Sequence, residues 1–183
     1  VVMSVYNEKL EWLEEAVDSI LHQTYSNFEF IIVVDNPLVP VHIRNYIENK
    51  RKQDSRIIVL YNETNIGLAL SLNRGISVAR GKYIARMDAD DIALPERFQC
   101  EIDYLEEHGV DMVSTNAVII DEESCELRKR ESSPENPMPF LLYSNNIVHP
   151  SVVVRSDVIR KVGGYRNFKR SQDYDLWLRL MTA

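Results

Sequence analysis

Phe28-Glu29-Phe30-Ile31-Ile32-Val33-Val34-Asp35 is the segment from which the architecture can be worked out. Its apolar, β-branched run is short for a helix and has no polar face, so it is expected as a strand buried on both sides. Such a strand needs cover above and below, and the flanking sequence supplies it. Upstream, Val1 to Ser4 reads as another buried strand. Leu10, Leu13, Ala16, Val17, Ile20 and Leu21 then recur at helical spacing, with Glu and Asp on the opposite face. Downstream come a helical stretch from Val41 to Arg51, a strand at Ile57 to Tyr61, a helix from Gly67 to Ala79 and a strand at Tyr83 to Met87. Pro95 suits the start of a helix running towards His108-Gly109, and Met112 to Ile120 reads as a fifth strand. Strand and helix alternate through residue 120, which predicts an α/β fold with a mostly parallel central sheet and helices on both faces.

The remaining third changes character. Glu131 to Pro139 contains three prolines and is expected as an exposed loop. A short strand at Ser151 to Arg155, a helix from near Ser156, a Gly163-Gly164 break and a last helix follow. The 183 residues suit a single domain with two halves, 1–120 and 121–183. The chain opens inside a strand-like run and stops at Leu180 to Ala183 within an amphipathic helix, so it reads as a fragment truncated at the C-terminal end.

Composition narrows the partners. A net charge of −7 and a pI near 5.2 argue against nucleic acid, whose phosphates call for clustered Lys and Arg. Cys100 and Cys125 show no CxxC spacing, which argues against a disulfide framework or zinc site and for a reducing, cytoplasmic setting. The sequon Asn62-Glu63-Thr64 is accordingly read as unused. No apolar run approaches the ~20 residues that span a bilayer, so any membrane attachment is expected only through regions outside this chain.

In open α/β sheets, ligands bind beyond the carboxyl ends of the strands. Three such ends carry polar residues: Tyr6-Asn7-Glu8, Asp35-Asn36 and Asp88-Ala89-Asp90-Asp91. The last places three carboxylates in four residues directly after a buried strand, where a cation would relieve their repulsion. Hard oxygen donors select Mg²⁺ or Mn²⁺ over zinc, and Mg²⁺ is typically held by one or two carboxylates together with substrate phosphates. The plainer alternative is a solvated acidic turn with Asp91 capping the next helix. Asp35 could accept hydrogen bonds from a base N–H or from sugar hydroxyls, or it could simply serve the Asp-Asn-Pro turn. Asn65-Ile66-Gly67-Leu68 and Asn73-Arg74-Gly75 form a loop leading into a helix whose N-terminus suits a diphosphate. Arg74 and Arg86 could assist the phosphates or be structural. Asp173 and Asp175 open the last helix, where they favour its dipole; an acidic residue there also suits a general base. His149 reads as a packed, hydrogen-bonded histidine, and Leu176, Trp177 and Leu180 as core.

The order of these motifs resembles the family-2 glycosyltransferases of the GT-A, Rossmann-like fold. The matching pieces are Val2 to Glu8, Ile20 to Tyr25, Phe28-Glu29 to Asp35, Asn65 to Leu68, Asn73 to Gly75 and Ala79 to Tyr83. The acidic cluster, Pro95-Glu96-Arg97, His149-Pro150-Ser151, Gly163-Gly164-Tyr165 and Gln172-Asp173 complete the series. The resemblance implies an inverting transferase moving a sugar from a nucleotide-diphosphate sugar, a UDP-sugar by preference, to a hydroxyl of a saccharide or lipid-linked saccharide acceptor. Residues 1–120 would bind the donor and 121–183 face the acceptor. Ser4, Tyr6 and Glu8 would line the nucleotide pocket, Asp35 would contact the base, and Asn65, Gly67 and Asn73 would serve the donor. Asp88 would reach the ribose or sugar, Asp90 would ligate Mn²⁺ or Mg²⁺ with Asp88 and Asp91 beside it, and Asp173 would be the catalytic base. Polysaccharide or glycoconjugate synthesis, in the cytoplasm or at the cytoplasmic face of the inner membrane, completes the expectation. Two positions depart from the family pattern: Val34 stands where an acidic residue often precedes Asp35, and Gln172 stands where Glu often precedes Asp173. The rival readings are a sugar-nucleotide nucleotidyltransferase and a non-catalytic metal-binding interaction domain. Tyr6-Asn7-Glu8-Lys9-Leu10 lacks the glycine-rich phosphate loop that the first would carry.

Overall fold

A computed structural model describes residues 1–132 and 138–182. Their elements are β1 (Val2–Val5), α1 (Leu10–Leu21), β2 (Phe30–Val34), α2 (Val41–Gln53), β3 (Ile57–Tyr61), α3 (Leu68–Val78), β4 (Tyr83–Met87) and α4 (Arg97–His108). After these come β5 (Met112–Val113), β6 (Ala117–Ile120), β7 (Glu126–Arg130), α5 (Met138–Leu141), a 3₁₀ turn at His149–Ser151, β8 (Val153–Arg155), α6 (Ser156–Lys161) and α7 (Gln172–Met181). Six strands form one sheet in the order β3-β2-β1-β4-β8-β5. The β3, β2, β1 and β4 neighbours pair in parallel, and β8 runs antiparallel between β4 and β5.

β2 is buried along its whole length, as a strand without a polar face must be. The two-residue alternation divides its side chains between two cores. Phe30, Ile32 and Val34 join Met3, Val5 and Met87 against Leu13, Val17 and Ile20 of α1, Ile43 and Ile47 of α2, and Phe98 and Leu105 of α4. Ile31 and Val33 join Val2, Ile84 and Val154 against Leu72 and Ile76 of α3, Ile159 of α6, and Leu176 and Trp177 of α7. Helices therefore cover both faces, as the sequence predicts. Successive strands run outward from β1 to β3, after which the chain returns to lay β4 on the other side of β1. That reversal is a topological switch point, and the crevice beyond the ends of β1 and β4 is where such sheets take their ligands.

Three local expectations need correction. The predicted strand from Met112 to Ile120 is broken: Met112 and Val113 pair with β8, whereas Ala117 to Ile120 pair with β7 in a separate two-stranded ribbon. The break falls where side chains replace ladder bonds: the Ser151 hydroxyl accepts from Thr115 N–H at 2.9 Å and donates to its carbonyl at 3.0 Å. Asp91 does not cap α4, which begins only at Arg97 and has no cap from its own preceding residue. Gln23 does the nearby work instead, accepting from Phe98 N–H at 3.0 Å and donating to the Leu94 carbonyl at 2.7 Å. Lastly, the proline-rich loop ends in a helical turn, because Pro139 sits in the first turn of α5, where a missing N–H is tolerated. Residues 133–137 of that predicted loop lie outside the described residues.

Candidate active site

Met87 is buried at the end of β4, so Asp88 is the first side chain to leave the core. Arg86, nearly buried itself, forms an ion pair with Asp88. Behind it, Arg97 donates to the Arg86 carbonyl at 3.0 Å and pairs with Glu101 at 3.2 Å. Ala89 and Ala93 are buried and pin the loop between them, and Ala93 N–H donates to the Ser19 hydroxyl at 3.1 Å. Asp90 and Asp91 are therefore presented on a fixed turn. Burial, then the charges of Asp88 and Asp90, push the Asp91 carboxyl up to about 6. Asp90 is likewise raised, by burial and by Asp88. From the end of β1, Glu8 accepts from Tyr6 N–H at 2.8 Å, and its carboxyl is raised by burial, with Asp90 adding repulsion.

Glu8, Asp88, Asp90 and Asp91 thus share one electrostatic neighbourhood over the switch point, balanced mainly by Arg86 with Arg97 behind it. An excess of half-buried carboxylate charge suits a hard divalent cation, so the donor set is of the right chemistry. Among the described residues, however, no three His, Cys, Asp or Glu side chains gather into a ready cage. A cation here would need further oxygens from water or a bound phosphate, the coordination that Mg²⁺ favours.

Asp35 is buried at the end of β2 and faces the loop before α3. One oxygen accepts from Asn62 Nδ2 at 2.6 Å and Ile66 N–H at 2.9 Å, and the other from Gly67 N–H at 2.8 Å. Three of its roughly four lone-pair positions are therefore taken by the protein. Asn65 supports the same turn, accepting from Gly67 N–H at 3.0 Å, and Gly67 enters α3 with φ +85°, where a side chain would be strained. The structure brings Asp35, Asn65 and Gly67 together, with Asp35 acting as the internal brace of the loop. Arg74 is structural, donating to the Tyr61 carbonyl at 2.7 Å and to Asn62. The sequon residue Asn62 is itself buried, with its amide bonded to Asp35 and Ser71. Val34, at the position where an acid often stands, is fully buried in the sheet.

Asn73 does not join that loop. Its amide donates to the Tyr165 carbonyl at 2.7 Å and accepts from Tyr165 N–H at 2.8 Å, a double clamp from α3 onto the Gly163-Gly164-Tyr165 turn. Gly164 holds φ +66°, and a Cβ there would collide with Asn73 Oδ1. Gly164→Ala is therefore expected to cost roughly 2 kcal/mol, from left-handed strain and the lost clamp together, read as a lower denaturation midpoint at unchanged m value.

The clamp fixes Tyr165 between the two acidic regions. Its hydroxyl lies 2.7 Å from His149 Nε2, and the His149 ring meets Trp177 edge-on at 5.7 Å. Burial pushes the Tyr165 hydroxyl up, while burial and then Arg86 hold His149 well below its ordinary value, so both are neutral near pH 7. The Tyr165 hydroxyl also feels the charges of Arg86, Asp173 and Asp88. Asp173 stands in the first turn of α7 and accepts from Asn145 Nδ2 at 2.6 Å. Asp175 is committed elsewhere, paired with Arg166 at 3.2 Å and Arg179 at 2.8 Å. Sequence reasoning missed Asn145 and the roles of Gln23 and Tyr165; the last two had a signal, as members of the Ile20 to Tyr25 and Gly-Gly-Tyr motifs.

The sheet order with its switch point between β1 and β4, and the carboxylates gathered over it, are those of a GT-A fold. The chain belongs to glycosyl transferase family 2, whose family model matches residues 1–161. It is 39% identical to the uncharacterized glycosyltransferase MJ1057 of Methanocaldococcus jannaschii, over 98% of this chain and 63% of that protein. It is 35% identical to the amylovoran biosynthesis glycosyltransferase AmsE of Erwinia amylovora, over 100% of this chain and 69% of that protein. The O-antigen biosynthesis glycosyltransferase WbnJ of Escherichia coli is 32% identical, with 99% and 70% covered. The chain thus spans 63–70% of the length of these three relatives. Among solved structures, S. aureus TarS 1–349 with UDP-GlcNAc superposes with a TM-score of 0.77 at 19% identity, over 98% of this chain and 52% of that one. The mannosyltransferase PcManGT from Pyrobaculum calidifontis, in complex with GDP-Man and Mn²⁺, gives 0.73 at 16% identity, over 98% and 50%. At these identities the structures bear on the fold alone.

Proposed function

We propose that this protein is an inverting, divalent-metal-dependent glycosyltransferase that moves a sugar from a nucleotide-diphosphate sugar, a UDP-sugar by preference, to a hydroxyl of a saccharide or lipid-linked saccharide. The observation that carries the reading is the set of carboxylates gathered over the switch point and anchored by the Arg86–Asp88 pair, with Asp173 in the first turn of α7 acting on the same Tyr165 hydroxyl as Asp88. In it, Ser4, Tyr6 and Glu8 line the nucleotide pocket, and the loop braced by Asp35 with Asn65 and Gly67 shapes the donor side. Asn73 contributes by fixing Tyr165. Asp90, with Asp88 and Asp91 beside it, would hold Mn²⁺ or Mg²⁺, which supplies Lewis-acid neutralisation of the departing diphosphate. Asp173 takes the proton of the acceptor hydroxyl as that oxygen attacks the anomeric carbon from the face opposite the leaving group, and configuration inverts. Arg86 tethers Asp88 from the buried side and keeps it on the strand axis.

The relatives named for amylovoran and O-antigen biosynthesis favour polysaccharide or O-antigen synthesis, and the structural neighbours bind UDP-GlcNAc in one case and GDP-Man with Mn²⁺ in another. No helix among the described residues is long and apolar enough to cross a membrane. We place the enzyme in the cytoplasm, at the inner membrane face where its acceptor is lipid-linked.

The test is the thermal midpoint with UDP, with Mn²⁺, with both and with neither, in the protein and in Asp90→Ala. At a hundredfold excess over Kd, binding adds about 2.7 kcal/mol, a rise of roughly 5–10 °C for a chain of this size. The reading expects that rise with both ligands together, a much smaller one with either alone, and its loss in the variant. A rise with GDP or dTDP in place of UDP would change the base, and no rise with any of the three would overturn the donor assignment.

A further inference from the structure

The carboxylate of Asp173 is not free to turn. Asn145 Nδ2 donates to its Oδ2 at 2.6 Å, whereas no hydrogen bond engages Oδ1 among the described residues. Asn145 is fixed at its other end, because its Oδ1 accepts from Ile147 N–H at 3.3 Å and Ile147 is buried. The segment carrying Asn145 is tied to α7 a second time, since the Tyr174 hydroxyl donates to the Leu141 carbonyl. Asp175 is neutralised by Arg166 and Arg179, and the Tyr165 hydroxyl is engaged with His149.

We propose that Asn145 is a positioning residue for Asp173, holding Oδ2 so that Oδ1 alone faces the attacking hydroxyl. The inference rests on the reading of Asp173 as the base. A short aspartate side chain has two rotatable bonds, and a carboxylate that swings presents either oxygen, or neither, to the acceptor. An amide anchored to the backbone removes that freedom at one atom and leaves the other lone pairs available. Loss of such alignment costs the chemical step and not the binding of donor, since no hydrogen bond among the described residues links Asn145 to the switch-point cluster.

The experiment compares Asn145→Asp, Asn145→Gln and Asp173→Asn in Mn²⁺-dependent release of nucleotide from UDP-GlcNAc or GDP-mannose, with water as acceptor, using the sugar whose nucleotide stabilises the protein. Asn145→Asp is close to isosteric but replaces the donor by a like charge. It is expected to lower kcat about tenfold to a hundredfold with donor KM and thermal midpoint unchanged. Asn145→Gln retains an amide donor on a longer arm and is expected to recover part of that loss. An inactive Asp173→Asn beside an Asn145→Asp with wild-type kcat would overturn the proposal while leaving the base intact. Equal losses in Asp and Gln variants that track a falling midpoint would overturn it in favour of a structural role. An Asp173→Asn with wild-type turnover would remove the base itself, and the proposal with it.

Discussion

Asp173→Asn is expected to lower sugar transfer by about two to four orders of magnitude while leaving nucleotide affinity within about twofold. The substitution keeps the shape and the side-chain oxygen that Asn145 can address, but the amide cannot take a proton from an acceptor hydroxyl. Asp173 lies on α7, and its hydrogen bond is to Asn145 and not to a carboxylate-bearing strand end, so donor affinity should not depend on its charge. The measurement is kcat and donor KM under saturating Mn²⁺, together with the nucleotide-induced thermal shift. A drop in kcat with the shift intact is the expected pattern. A loss of both would mean that Asp173 holds the donor, and the base would then have to be sought elsewhere.

The second large effect is on stability. Glu101→Ala is expected to cost about 3–5 kcal/mol, a large part of the 5–15 kcal/mol that a domain usually has. Arg97 and Glu101 are adjacent on α4, with side chains only 8% and 1% exposed. Removing the carboxylate leaves a guanidinium in the core without its counter-charge. It is the broken pair that is costly, so a double replacement by well-packed apolar side chains should recover most of the loss. The same guanidinium donates to the Arg86 carbonyl at 3.0 Å and reaches Met87 Sδ at 3.5 Å. Glu101→Ala should therefore also loosen the strand end that presents Asp88, and metal-dependent nucleotide binding should weaken beyond what a distant core variant of equal stability shows. Urea unfolding gives the first quantity and the thermal shift the second.

Much of the fold could be read from periodicity. β2, fully apolar, and α1, amphipathic, impose their own environments, and polar residues at the strand ends mark the crevice without reference to tertiary contacts. The strand-end carboxylates stood out because charge clustered at an element boundary is visible in one dimension, whereas the reading of Asp173 as a base rested on the family resemblance. What escaped depends on partners distant in sequence. Gln23 meets Phe98 across 75 residues, Asn73 meets Tyr165 across 92, and Asn145 meets Asp173 across 28. A lone Asn or Gln looks the same whether it faces solvent or bridges two elements. The Glu126–Arg130 strand was hidden for a different reason: all five of its side chains are exposed, so no hydrophobic alternation marks it.

The insertion of β8 between β4 and β5 bears on how such enzymes can be recombined. Residues 121–183 do not form a cap resting on a finished donor domain, because they contribute an interior strand to its sheet, and Tyr165 is gripped by Asn73 of α3. A chimera that exchanged everything after residue 120 would have to match a foreign β8 to native edges on both sides. Among the described residues the β6–β7 ribbon pairs only with itself, which makes its ends the more permissive crossover points, and retargeting of the acceptor by segment exchange is best begun there.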